Sequence, residues 1–381
     1  MMRKLLVSFL LFTIVSGKSQ TLSKGLYVDQ FHLILGNTQK EDSLLNYAQA
    51  NGFNYLALYN LWNIHTSSSL TNTTSAQPLA NFINKAKTTY SITNIGATGE
   101  SYWFFSNVIH IYNQQHNNPN HKFTVYNLEF EFWINSSVNP GGVYCTSYLQ
   151  PGGFSCDTSG AFKFFRRELR RIDSLGNTIG VISETYIGWP NAGQAKAIVA
   201  TCDRVLLHAY VSNQSTTYNY TKARLADLAS GTVPAKIIPI FSAEPSFMGP
   251  WVQTNSPGQA FINYNTSFSG ETASWKTNVS LAGYQWFAYT FMPYSLPTGV
   301  NENFSTPNFK IYPNPTSSKL KGQSETPFGR IELTNALGQM LKRLEADTDF
   351  EIETGNLENG IYFLRSENGL CQKIIISHQS E

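Results

Sequence analysis

Charge is what this sequence has least of. Asp, Glu, Lys and Arg make up 14% of its 381 residues, against about a quarter in an ordinary globular chain. The two signs nearly cancel, 27 − 25 = +2. The chain therefore has neither the basic footprint that nucleic acid demands nor a polybasic patch for anionic lipid, and no nucleic-acid partner is expected. Cysteine is scarce at four, and no cysteine or histidine spacing fits a zinc site; no metal or cofactor is expected. No Gly-rich phosphate loop follows any strand pattern, and no Gly-x-Ser-x-Gly elbow occurs. After the first twenty residues no segment reaches the 18 or so apolar residues that a bilayer requires, which argues against stable membrane insertion.

Aromatics are plentiful instead, with 7 Trp, 20 Tyr and 25 Phe. A surface of Asn, Ser, Thr and Tyr suits a neutral, hydroxyl-rich partner. Residues 1–20 read as an export signal: Arg3 and Lys4 start it, Leu5 to Val15 form an apolar run, and small or polar residues follow. The composition then shifts near residue 305. Residues 306–381 hold 8 basic and 10 acidic side chains in 76, or 24% charged, while the preceding 305 hold 52 − 18 = 34, or 11%. The polar, turn-rich stretch 296–305 is the expected linker between a body of 21–295 and a C-terminal domain of 306–381.

Short alternating strands are expected in that domain at Phe309–Tyr312, Arg330–Thr334, Gln339–Leu344, Asp349–Ile352, Gly360–Arg365 and Gln372–Ile376, a small all-β sandwich. Four motifs occur in order: Tyr312-Pro313-Asn314-Pro315-Thr316, Ile331-Glu332-Leu333-Thr334-Asn335-Ala336-Leu337-Gly338, Leu357 with Gly360-Ile361-Tyr362-Phe363-Leu364, and Lys373-Ile374-Ile375-Ile376. This stretch resembles the C-terminal sorting domain of type IX secretion cargo. The resemblance implies a Gram-negative bacterium, the export and type IX secretion machinery as partners, and a secreted or cell-surface product. Function then resides in the body.

Four cysteines fit an oxidising compartment. Cys145 and Cys156, in a Gly/Pro/Ser-rich loop, are expected to pair; Cys202 reads as a buried strand-edge thiol, and Cys371 belongs to the C-terminal domain. The body itself alternates strands and helices. Strands are expected at Gly25–Phe31, Tyr55–Tyr59, Asn94–Thr98, Thr124–Phe132, Gly180–Thr185, Arg204–Val211, Lys236–Phe241 and Gly283–Phe291. Helices are expected at Gln39–Ala50, Pro78–Thr88, Tyr102–Gln115, Ala161–Leu175 and Ala192–Ala200. Eight such strands in about 270 residues predict an α/β fold, a (β/α)8 TIM-type barrel. A doubly wound open sheet is the competitor.

Barrel chemistry sits at the carboxyl ends of the strands. Those ends carry Asp29, Asn60, Glu100, Glu129 with Glu131, Glu184, His208 with Tyr210, Glu244, and Gln285 with Trp286. On the fourth strand, alternation sets Asn127, Glu129 and Glu131 on one face and Leu128, Phe130 and Phe132 on the other. The apolar face must meet helices, so both carboxylates are expected inside the mouth, where mutual repulsion raises one proton affinity. Glu131 is the expected proton donor, Glu129 an orienting group, and Glu244 a second acid across the barrel. Trp62, Trp103, Trp133, Trp189 and Trp251 each fall just past a strand end, where flat indoles can stack on sugar rings.

Paired carboxylates are what glycoside hydrolysis asks for. The body resembles retaining (β/α)8 glycoside hydrolases with glutamates on the fourth and seventh strands, and His208, Tyr210 and Trp286 add to the likeness; Phe130 stands where that family has Asn. It also resembles family 18 chitinases and endo-N-acetylglucosaminidases, whose Asp-x-x-Asp-x-Asp-x-Glu motif overlays Thr124, Asn127, Glu129 and Glu131. There the substrate's acetamido group would be the nucleophile and Tyr210 would orient it. The rim segments hold almost no Lys or Arg to balance sulfate or uronate, so the expected protein is a secreted, endo-acting hydrolase of a neutral polysaccharide or glycan. The alternatives are the substrate-assisted enzyme and a non-catalytic glycan-binding barrel.

Overall fold

In the computed structural model, residues 22–293, 310–324, 327–335, 340–366 and 371–378 are described. The expected export signal, 1–20, and the linker, 296–305, lie outside them. The described residues form two compact units, each with its own core.

In the first unit, β1 (Ser23–Val28), β2 (Tyr55–Leu58), β3 (Asn94–Gly99), β4 (Val125–Leu128), β5 (Ile182–Ile187), β6 (Arg204–His208), β7 (Ala235–Ser242) and β8 (Gly283–Phe287) pair in parallel, each with the next. Pairing of β8 with both β7 and β1 closes the barrel. A short strand, Val279–Leu281, runs into β8 along β7. Ile237 faces Leu281 and Ile240 faces Gln285, so three steps on β7 match four on its neighbour, a bulge of one residue. Gly283 sits in it with φ +138, and a Cβ there would lie 1.8 Å from the Ser23 carbonyl oxygen. Glycine is required at that position.

The helices are α1 (Thr38–Ala50), α2 (Leu61–Ser67), α3 (Gln77–Thr89), α4 (residues 102–115, with a π-helical turn at Phe105–Ile109), α5 (Thr158–Asn177), α6 (Ala192–Val199), α7 (Thr217–Leu228) and α8 (Pro257–Ser269). Side chains of Asn37, Asp157 and Asn191 cap α1, α5 and α6. The main core lies between helices and barrel. On α5 it takes Phe164, Phe165, Leu169 and Ile172.

Several strands are shorter than the hydrophobic pattern suggests. β4 ends at Leu128 rather than Phe132, because after the Glu129 N–H bonds the Gly99 carbonyl at 2.9 Å the chain turns on itself. Phe132 N–H bonds Phe130 and Ile134 N–H bonds Glu131. The apolar Phe130 and Phe132 stay buried under α5 while forming loop, not ladder.

The second unit holds two antiparallel sheets. β9 (Lys310–Tyr312), β10 (Lys319–Gln323) and β13 (Asp349–Glu353) form one, in the order β9-β10-β13. β11 (Gly329–Asn335), β12 (Met340–Ala346), β14 (Gly360–Ser366) and β15 (Cys371–Ile376) form the other, in the order β12-β11-β14-β15. Leu320, Ile331, Leu333, Phe350, Ile352, Leu364 and Ile374 fill the core. The outward faces carry cross-strand pairs such as Lys319–Glu351 and Arg343–Glu332, which is where the extra charge of this segment goes.

Candidate active site

The barrel interior is layered. At its base Tyr55 and Arg204 both meet Glu184: the Tyr55 hydroxyl donates at 2.7 Å and Arg204 Nε at 2.5 Å, all three side chains being buried. Gly96 makes room for this tyrosine, since a Cβ there would stand 2.6 Å from its hydroxyl. Glu184 was expected at the mouth among substrate-binding groups. The register corrects this: it pairs with Asn127 on β4 and with Arg204, the first residue of β6, and so lies buried inside the barrel below the mouth. Beside it, Asn127 on β4 continues a buried polar waist with Thr98 and Gln285.

At the mouth, Glu129 and Glu131 follow β4 and Glu100 follows β3. The Tyr27 hydroxyl donates to Glu129. Burial, and then the charge of Glu131, push the Glu129 carboxyl up to about 8. Burial, and then the charge of Glu100, raise Glu131. Glu100 in turn accepts from the Tyr148 hydroxyl at 2.5 Å and the Tyr59 hydroxyl at 3.4 Å. Three carboxyl groups thus stand in one electrostatic neighbourhood inside a collar of tyrosines. Among the described residues, no group of three or more His, Cys, Asp or Glu converges as metal ligands would.

Across the barrel, Tyr210 shares a hydrogen bond with Tyr186 and lies within the fields of both Glu129 and Glu244. Glu244 accepts from the Ser242 hydroxyl at 2.8 Å. His208 stacks on Tyr210 at 4.2 Å and against Trp189 at 4.6 Å. Burial, and then Arg224, hold the imidazole down at about 4, so it is neutral at physiological pH.

Of the expected rim tryptophans, Trp62, Trp103 and Trp189 are 45%, 56% and 50% exposed, which leaves part of each ring open to solvent. Trp62 and Trp103 meet edge to face at 5.7 Å. They line one pocket with Tyr59, Asn60, Asn63, Glu100 and Tyr148. Trp133 is half-buried against Tyr186, and Gly188 clears space for its ring. Trp286 corrects the expectation: it points out of the barrel, fully buried, donating to the Pro257 carbonyl at 3.1 Å. Trp251 lies flat over it at 6.3 Å and belongs to the same packing. Alternation explains the reversal, because buried Gln285 and cleft-facing Phe287 take the inward positions of β8. Asp29 binds Thr290 N–H and hydroxyl, and the Asn60 amide binds the Asp29 carbonyl, so these two tie strand ends together.

Beyond Tyr210, the sequence reading missed the tyrosines of the site. Tyr27 and Tyr186 occupy inward strand positions and Tyr59 continues the inward alternation just past β2, a signal available from alternation; Tyr148 arrives on the loop closed by the Cys145–Cys156 disulfide, which forms as expected, and Tyr144 stands just before it.

Residues 310–377 match the family described as a secretion system C-terminal sorting domain. The C-terminal unit is thus a type IX sorting domain, which marks the chain for secretion or for the cell surface. No curated protein matches the chain. Among solved structures, a β-glucuronidase of Bacteroides uniformis aligns over 94% of this chain and 46% of its own, with 8% identity and a TM-score of 0.42. A chitinase of Chromobacterium violaceum aligns over 71% and 95%, with 9% identity and a TM-score of 0.38. A family 18 chitinase of Pseudoalteromonas aurantia aligns over 70% and 94%, with 11% identity and a TM-score of 0.38. An aldolase from Escherichia coli K12 aligns at 0.35. The chain spans about half the length of the first of these.

Proposed function

We propose that the barrel is a secreted glycoside hydrolase in which Glu131 is the proton donor. The observation that carries this reading is the Glu129–Glu131–Glu100 group, whose first two members both have raised proton affinity at the barrel mouth. A general acid is favoured by a raised proton affinity, and burial beside like charge is how a carboxyl gains it. Departure of the leaving group puts positive charge on the sugar ring, which a cation-free carboxylate neighbourhood stabilises.

The substrate is a glycan without sulfate or uronate groups. No Lys or Arg lines the Trp62–Trp103 pocket, and under Trp189 the Arg224 guanidinium is committed to the carbonyls of Gly188 at 2.9 Å and Tyr220 at 3.2 Å. Exposed indoles offer stacking surfaces for sugar C–H faces, Asn63 offers its amide for hydroxyls, and Asn60, whose N–H is taken by the Asp29 carbonyl, offers its side-chain oxygen.

Glu244 is the nucleophile in the paired-carboxylate scheme. One observation favours the substrate-assisted scheme: the charges acting on Glu129 and Glu131 are those of Glu131 and Glu100, not of Glu244. The test is reducing-sugar release by the full chain from a panel of neutral and charged glycans, with Glu131→Gln and Glu244→Gln alongside. Loss in both variants supports the paired scheme, and loss in Glu131→Gln alone the substrate-assisted one. Full activity in Glu131→Gln, or release confined to anionic glycans, would sink the proposal.

A further inference from the structure

The loop after β4 runs far past what is needed to reach α5, and it is cross-linked within itself. Cys145 and Cys156 join its two halves. Gly141 and Gly153 adopt φ of +90 and +74 at its corners, a backbone that suits glycine. Between the cysteines, one π-helical turn, Cys145–Leu149, presents Tyr148 beside Tyr144, the residue just before the bridge. Both rings pack on Phe130, Tyr144 stacked at 4.3 Å and Tyr148 edge-on at 5.8 Å. Phe130 is the residue between the two carboxyls of the β4 end. The loop is therefore seated on the backbone that carries the acids.

Its hydroxyls point the same way. Tyr148 donates to Glu100 at 2.5 Å, and Tyr144 lies within the fields of Glu100, Glu131 and Glu129. Nothing in the packing of the barrel demands a hydroxyl at either place, since rings alone would cover Phe130. Tyr59 offers Glu100 a longer bond, 3.4 Å, so Tyr148 is the group that fixes where this carboxylate sits.

Resting on the hydrolase reading above, we propose that Tyr148 is a positioning residue that holds the Glu100 carboxylate beside the Glu131 proton donor, and that the Cys145–Cys156 cross-link keeps it there. Without the cross-link, the stretch 139–156 has Gly, Pro and Ser for most of its corners and little beyond Leu149, Phe154 and the two tyrosines to bury. Glu100 would then be free to turn toward solvent.

The groups facing Glu131 are Glu100 from β3, Glu129 from its own strand end, Tyr59 from β2, Tyr144 from the loop and Tyr186 from β5. Of these, Glu100 is the charge that raises it after burial. Release of Glu100 should therefore lower the titration midpoint of Glu131.

The experiment is a carboxyl titration by carbon-13 NMR on the full chain labelled at glutamate Cδ, with Glu100→Gln and Glu131→Gln giving the assignments. Three proteins are compared: wild type, Tyr148→Phe, and the Cys145→Ser/Cys156→Ser double variant. A thermal melt of each reports whether the barrel is folded. The Glu131 midpoint is expected to fall by about half a unit or more in both variants, as like charge moves away. Turnover on any glycan the wild type cleaves is expected to fall about tenfold in kcat with KM nearly unchanged, since the interaction acts on the reacting groups. An unmoved Glu131 midpoint in folded Tyr148→Phe would overturn the positioning role. A shift in Tyr148→Phe alone would overturn the part assigned to the cross-link. A shifted midpoint in a wild type that cleaves nothing would leave the positioning intact and remove the hydrolase reading.

Discussion

Glu129 offers the sharpest test of the site's electrostatics, because its carboxyl changes state between the unfolded and folded chain. An ordinary glutamate titrates near 4.5, and burial with the neighbouring Glu131 pushes this one up to about 8. Between those values the folded protein keeps a proton that the unfolded chain has released, so stability falls as pH rises through the window and levels off above it. Full expression of the shift would cost about 1.4 kcal/mol per pH unit. Over 8 − 4.5 = 3.5 units that is roughly 5 kcal/mol. Glu129 keeps part of its surface open to the cleft, and solvent there should bring the figure down to about 2–3 kcal/mol. Glu129→Gln retains an oxygen to accept from Tyr27 and removes the titration. The difference in stability between variant and wild type should therefore swing toward the variant by about 2–3 kcal/mol from pH 5 to pH 8. Urea unfolding followed by tryptophan fluorescence is the assay, and it reports the barrel alone, because all 7 tryptophans precede residue 290. Parallel pH profiles for the two proteins would show that Glu129 ionises as an exposed carboxylate does, and would refute the reasoning.

Three further outcomes are expected. Arg204→Met strands the buried Glu184 carboxylate at the barrel base and should cost about 3–5 kcal/mol in the same unfolding assay. Gly96→Ala drives a methyl to 2.6 Å from the Tyr55 hydroxyl and should cost about 1–3 kcal/mol, with the mouth and its titrations unchanged. His208, held down at about 4 by burial and Arg224, should show no titration of its imidazole C–H signals between pH 5 and 8. The unfolded chain takes up that proton below about 6.5, so stability should drop as pH falls from 6.5 toward 4, and His208→Phe should flatten that part of the curve.

The barrel was legible because its strands read as β-branched and aromatic runs at regular intervals, with helical periodicity between them, as on α5. Its later helices were not. α7 reads Thr-Tyr-Asn-Tyr-Thr and buries Thr217, Thr221 and Arg224, while α8 is rich in Asn, Ser and Thr. Such residues compete with the backbone for hydrogen bonds and blur an amphipathic pattern. β10 escaped notice for a related reason, since Lys-Leu-Lys-Gly-Gln alternates correctly in burial but with lysine and glycine at most positions. In the site, alternation placed Glu129 and Glu131 on one face. It could not tell top from base: Glu184 lies on the same inward face as any mouth residue of β5, and only the register against Arg204 reveals its depth. The same rule, applied to β8, would have turned Trp286 outward. The loop tyrosines were illegible in principle, because a cross-linked loop has no period from which direction can be read.

The fate of Cys202 bears on how such a chain survives its journey. Its sulfur lies 3.5 Å from the carbonyls of Ile198 and Arg204, and burial, with Asp173, Asp203 and Glu184 nearby, pushes the thiol well above its ordinary range. Thiol–disulfide exchange runs through the thiolate. Once the barrel has closed, this sulfur is a poor attacker, so it neither reopens the Cys145–Cys156 bridge nor captures a passing oxidoreductase as a mixed disulfide. Folding thus removes one competitor from the redox traffic outside the cytosol, and the bridge at the cleft persists by kinetic isolation as well as by its own stability.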